Sequence, residues 1–163
     1  MNVAYLLTGG NTGNRLTYLN KAVAEIKKHC GTILSKSSVY ETAAWGLKEQ
    51  NSFLNQALKL STMLFPQELL DCLLQIEENL GRIRREKYGP RIIDIDILLF
   101  NDDVIDVRNL KIPHPELSNR RFALQCLNDV APDVVHPVSK KTIAQILKEC
   151  TDPLRVDKFK ITS

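Results

Sequence analysis

Residues 89–100 read GPRIIDIDILLF, a run of Ile, Leu and Phe interrupted by two aspartates. The aliphatic, β-branched content specifies a buried strand over residues 92–100. An ionised carboxylate in an apolar setting costs several kcal/mol unless it is paired. Whatever compensates Asp94 and Asp96 in the folded chain therefore points to function. Side chains alternate across a strand, so the two aspartates share one face, about 7 Å apart. Ile93, Ile95, Ile97 and Leu99 fall on the other face and anchor the strand against helices. Two hard oxygen donors at this spacing suit Mg²⁺, which is commonly held by one or two carboxylates plus substrate phosphates and water. The plain alternative is a pair of aspartates matched to arginines on a solvated sheet surface.

The preceding segment favours the metal. Residues 81–91, GRIRREKYGPR, supply Arg82, Arg84, Arg85, Lys87 and Arg91 just before the carboxylates. Guanidinium groups bind phosphate oxygens in bidentate fashion, and Lys adds a mobile point charge. A polyphosphate held between these cations and Asp-bound Mg²⁺ compensates both sides, whereas a solvated charged loop leaves the aspartates unexplained. Downstream, IPHP (112–115) and SNRRF (118–122) add His114, Arg120 and Arg121. His29, near a helix end, and His136, before Pro137, read as structural histidines. Neither GxxxxGK[ST] nor the protein-kinase Gly-rich loop is present, so if the chain handles ATP it does so by arginine and metal.

The chain has 163 residues, of which 25% are charged and 44% apolar, the composition of one globular domain spanning 1–163. A net charge of +3 does not call for a surface that coats nucleic acid broadly. Cys30, Cys72, Cys126 and Cys150 form no CxxC pair, and we read them as reduced thiols, Cys72 within a helix face. Residues 3–7 lack a basic leader, and no apolar run reaches the length of a membrane span. A cytoplasmic location without membrane association is expected.

Periodicity places strands over 3–7, 32–40, 53–60 and 92–100. Gly9-Gly10-Asn11 reads as the turn closing the first, and 42–52 as a long loop. Leu16, Leu19, Val23 and Ile26 mark one helix, ending at Gly31. Leu69, Leu70, Leu73, Ile76 and Leu80 mark another, opened by Pro66 and closed at Gly81. Strand, helix, strand, strand, helix, strand is the order of an α+β, ferredoxin-like split βαβ sandwich. A C-terminal hairpin or loop and helices near 121–127 and 142–150 are added to it.

The segment KYGPRIIDIDIL (87–98) resembles the signature of the 6-hydroxymethyl-7,8-dihydropterin pyrophosphokinases. The resemblance extends over nearly the whole chain: Gly10-Asn11, SSVYET (37–42), Phe53-Leu54-Asn55, Glu77 with Gly81-Arg82, Pro113-His114, Asn119-Arg120 and Phe122, all in order. It implies transfer of pyrophosphate from ATP to the hydroxymethyl group of a reduced pterin, releasing AMP, in folate biosynthesis. It also implies that Asp94 and Asp96 bridge two Mg²⁺ ions, and that Arg82, Arg91 and Arg84 grip phosphates from a mobile loop. Arg82, Arg91, Asp94 and Asp96 form the implied catalytic set. Glu77, His114 and Arg120 join the ATP contacts. Thr42, Ala43, Trp45 and Asn55 meet the pterin edge, and Phe53 and Phe122 sandwich its ring. ATP as co-substrate, the pterin as partner, no nucleic acid and a monomer complete the expectation. Tyr88, Pro115, Phe53, Ala43-Ala44 and Gly10 depart from the family's usual residues, affecting loop stiffness and affinity more than reaction type. The competing readings are a ferredoxin-like nucleic-acid-binding module and a metal-dependent phosphohydrolase.

Overall fold

The computed structural model describes residues 1–43, 51–81 and 92–161. Trp45, Arg82, Arg84 and Arg91, and the loop expected to carry the three arginines, lie outside these residues.

The first strand, β1 (Asn2–Gly10), is an interior strand of the sheet, paired along both of its edges. Helix α1 (Arg15–His29) begins where the Asn14 side chain accepts from the Thr17 amide, and buries Leu19, Ala22 and Ile26. β2 (Thr32–Lys36), β3 (Tyr40–Thr42) and β4 (Phe53–Thr62) follow. Helix α2 (Pro66–Asn79) opens with proline and with Glu68 accepting from the Phe65 amide, then buries Leu69, Leu73 and Ile76. β5 (Asp94–Phe100) completes the split βαβ set. The order β5-β1-β4-β3, with β2 also on β4, is antiparallel throughout and ferredoxin-like.

The C-terminal part adds the hairpin β6 (Ile105–Val107) and β7 (Leu110–Ile112), a 3₁₀ turn (Leu117–Asn119), α3 (Arg121–Val130), α4 (Ile143–Glu149) and β8 (Val156–Lys158). β8 pairs with the outer edge of β3. One core lies between the sheet and α1 and α2, built around Leu6, Leu58, Leu69, Ile95 and Phe100. A second lies on the opposite face under α3 and α4, around Tyr5, Ala57, Leu98, Leu124 and Ile143. No helix of the described residues is long and apolar enough to cross a membrane.

Four expectations change in detail. The strand expected over 32–40 is two strands, because Ser37 leaves the ladder and bonds Ala57 through both its amide and its hydroxyl. The first strand continues through Gly9 and Gly10, which pair with Asn55 and Leu54 instead of turning. Thr42, placed in a loop, ends β3. Leu99 does not share a face with Ile93, Ile95 and Ile97. The β1–β5 register slips between Tyr5 and Leu6, and the extra residue sends Leu98 and Leu99 to the α3 core.

Candidate active site

Strand register gathers the site. Asp94 pairs with Gly9, Gly9 with Asn55, and Asn55 with Tyr40, so one transverse row crosses β5, β1, β4 and β3. Partners in an antiparallel ladder share a face. Asp94, Gly9 and Asn55, with Asp96 two residues along β5 and the Phe53–Thr42 pair, therefore all stand on the face away from α1 and α2. Two inter-strand steps separate Asp94 from Asn55, about 10 Å. Between them Gly9 contributes no side chain. A Cβ there would lie 2.1 Å from Asn55 Nδ2, so glycine is what allows the amide its position.

At the Asn55 end the polar groups are held but incompletely used. Asn55 is 6% exposed and its Nδ2 donates to the Thr8 carbonyl at 3.3 Å. Its Oδ1 has no partner, nor does the Oγ1 of buried Thr42; the only other such buried side-chain atom among the described residues is Asn128 Oδ1. Buried polar atoms are normally satisfied, so two unpartnered oxygens on adjacent strands of one face mark a place for a ligand that hydrogen-bonds them. Phe53 opens β4 and Phe122 lies in the first turn of α3, both half-buried. Ala43 follows β3 directly.

The ends of β3 and β4 beside these residues are braced from the α1 side. Arg15 Nη1 donates to Glu41 Oε2 at 2.7 Å and to the Ser52 carbonyl at 3.0 Å, and Ser52 Oγ donates to the same carboxylate oxygen. These bonds, the one from Arg15 foremost, hold the Glu41 carboxyl below its usual range. Asn11 Nδ2 donates to the Asn51 carbonyl.

At the other end, Asp96 is partly open and its Oδ2 lies 4.0 Å from His114 Nε2. His114 Nδ1 accepts from the Glu116 amide at 3.1 Å. Burial, the largest influence, lowers the His114 pKa, and nearby Arg120 lowers it further against the opposing pull of Asp96 and Glu116. The ring is thus neutral at pH 7 with its proton assigned to Nε2, the nitrogen facing Asp96. The Arg120 guanidinium lies 5.9 Å from the Phe122 ring centroid, which links the two ends of the site. Arg121 is committed elsewhere, to Asp152 and to the Cys150 and Asp152 carbonyls.

Glu77 stands apart from the other expected contacts. It is 4% exposed, and its Oε2 accepts from the Ile95 amide at 2.6 Å, between the two aspartates. β5 is an edge strand, and this carboxylate takes up an amide that β1 does not reach. The resemblance named this residue; locally, its charge set in the Leu69–Leu73–Ile76–Leu80 stripe marks it too.

Sequence reasoning passed over Gly9, whose GGN context reads as a turn, and a cavity of about 270 Å³ wrapping the free edge of β5. Leu70, Ile97 and Leu110 line it on the apolar side, and Asp96, Arg108 and His114 on the polar side. Lining positions from α2, β5 and β7 are contiguous only in the fold. No group of three His, Cys, Asp or Glu residues able to hold a metal occurs among the described residues. Asp94 and Asp96 offer two hard oxygen donors on one face, a set that suits a cation also taking oxygens from phosphate and water.

A family model described as 7,8-dihydro-6-hydroxymethylpterin-pyrophosphokinase matches residues 5–132. A 2-amino-4-hydroxy-6-hydroxymethyldihydropteridine pyrophosphokinase of Aquifex aeolicus is 43% identical over 151 residues, 93% of this chain and 94% of the relative. The protein of that name from Bacillus subtilis is 44% identical over 134 residues, 82% and 80% of the two chains. Among solved structures, Plasmodium falciparum HPPK-DHPS with pteroate superposes with a TM-score of 0.75 at 19% identity, a likeness of fold. It covers 91% of this chain and 44% of the longer one.

Proposed function

The chain belongs to the 7,8-dihydro-6-hydroxymethylpterin-pyrophosphokinase family, and from that premise we propose how its residues divide the work. The enzyme transfers the terminal pyrophosphate of ATP to the hydroxymethyl group of 6-hydroxymethyl-7,8-dihydropterin in folate synthesis, leaving AMP. In our reading Asp94 and Asp96 hold two Mg²⁺ ions, which supply neutralisation of triphosphate charge and a lowered pKa for the attacking hydroxyl. Asn55 Oδ1 and Thr42 Oγ1 accept from the donor edge of the pterin, with Ala43 and Trp45 beside it and Phe53 and Phe122 against its faces. The base of ATP enters the cavity beside Asp96. His114 Nε2–H and Arg120 donate to phosphate oxygens, and Arg82, Arg84 and Arg91 do so from the other side. Glu77 acts through Ile95 on the aspartates, not on the nucleotide.

The observation that carries this reading is the row Asp94–Gly9–Asn55. It brings a carboxylate and an unpartnered amide oxygen about two strand spacings apart onto one rigid face, which supports a reading in which a pterin hydroxyl attacks the β-phosphorus in line. Little covalent work falls to the protein; rate comes from alignment and from donors aimed at phosphate oxygens. We further read residues 1–163 as one domain, since β8 returns to pair with β3, acting as a cytoplasmic monomer without nucleic acid. Acidic residues on the working face disfavour phosphate backbones unless a metal intervenes.

Mass spectrometry of the products from ATP and the hydroxymethyl pterin tests the chemistry: AMP and a pterin diphosphate are expected, and ADP or free phosphate would indicate hydrolysis. Asp96→Ala tests the metal end. A loss of at least roughly 100-fold in turnover, about 2.7 kcal/mol of barrier, is expected with the fold intact. Unchanged turnover would remove the aspartates from the reaction.

A further inference from the structure

Two thiols far apart in sequence meet behind the sheet. Cys30 closes α1 and is 3% exposed; its amide donates to the Ile26 carbonyl and its own carbonyl accepts from Thr62 Oγ1 at 2.6 Å. Cys72 is half-buried on α2, and its Sγ lies 2.9 Å from Cys30 Sγ. That is about 0.9 Å longer than a disulfide bond of ~2.04 Å. We propose that Cys30 and Cys72 are an oxidisable pair that low-molecular-weight disulfides convert to a cystine joining α1 to α2.

The exchange is balanced by the incoming disulfide. The Cys72 thiolate, the more accessible of the two, attacks one sulfur of the small disulfide, and a small thiolate leaves as its thiol on taking a proton. Cys30, losing its proton to solvent, then attacks Cys72 Sγ, and the second small thiol departs. Two protein thiols are oxidised and one small disulfide is reduced to two thiols. Burial, with Cys72 beside it, holds the Cys30 thiol above its ordinary range. This assigns Cys30 the resolving step and Cys72 the first. The cystine would close a loop containing β2, β3 and β4, the strands that carry Thr42, Phe53 and Asn55, and so constrain the unfolded chain.

The test uses the full chain, treated with glutathione disulfide under native conditions and mapped without reduction. A Cys30–Cys72 peptide lacking two hydrogens is expected, with Tm raised by about 10 °C and returned by dithiothreitol. Cys30→Ser should trap the glutathione adduct on Cys72. Should that variant fail to fold, Cys72→Ser serves, and the Tm rise should vanish with it. Cys126, fully buried, and Cys150, on the other face, are internal references. A stable adduct on Cys72 in the unsubstituted chain, an unreacted Cys72, or a Tm rise that survives Cys72→Ser would each overturn the proposal.

Discussion

Asn55 is held in a way that favours a ligand over stability. Its Oδ1 is buried and unpartnered in the free protein, so the side chain carries a desolvation cost that substrate donors can offset. Asn55→Ala removes that cost along with one long hydrogen bond to Thr8. Its Tm should stay within about 2 °C of the parent, while kcat/KM for the pterin falls by about 5- to 150-fold, the value of ~1–3 kcal/mol for substrate groups left unpaired. The KM for ATP should hold. A large fall in Tm, or equal losses for both substrates, would make Asn55 a structural residue. Gly9→Ala probes the same amide from its neighbour. The new methyl has to displace Asn55 Nδ2, so the same pterin-selective loss is expected in steady-state kinetics, accompanied by a Tm lower by a few degrees.

At the scale of elements, β5 is the sheet edge on which the proposed reaction rests. An edge strand has amides on its open side, and here the amide between the two aspartates is bound by a buried carboxylate from α2. Glu77→Ala leaves the Ile95 amide unpaired and opens space behind the strand. A loss of ~1–3 kcal/mol in stability by denaturant titration is expected, together with at least a 10-fold fall in kcat. Glu77→Gln retains an acceptor oxygen and should recover most of both; a variant that recovers stability but not turnover would give Glu77 a direct part in the chemistry. The Asp pair was legible in the sequence because carboxylates violate an apolar pattern, and Glu77 violates the α2 stripe in the same way. The helices and long strands were legible from periodicity. What was not legible depends on pairing between distant segments. The register slip that turns Leu99 over is set by β1, and the three-residue polar strand Val156–Lys158 exists because β3 offers an edge. Gly9 carries turn chemistry locally and becomes a strand residue through Asn55 and Asp94.

For the whole molecule, the layer formed by α3 and α4 closes the second face of the sheet and is fastened by polar groups as well as by its core. Tyr40 Oη donates to the Asp129 carboxylate, Arg121 bonds the chain around Asp152, and His136 organises the connection between the two helices. His136 is 8% exposed; its Nδ1 accepts from the Val138 and Ser139 amides, both at 3.2 Å, and burial lowers its pKa from the ordinary 6.5. The unfolded chain therefore takes up a proton near pH 6.5 that the native state resists, so stability falls as the solution is acidified. The contribution is full above pH 6.5 and is lost as pH drops through the lower native value, where protonating Nδ1 also removes the acceptor for both amides. His114, shifted in the same direction, adds to the slope. His136→Asn keeps a side-chain acceptor and removes the titration. Between pH 7.5 and 5.0, without added metal, the Tm of this variant should fall less than that of the parent while retaining the part due to His114. Parallel curves would place the acid sensitivity outside the connection between α3 and α4.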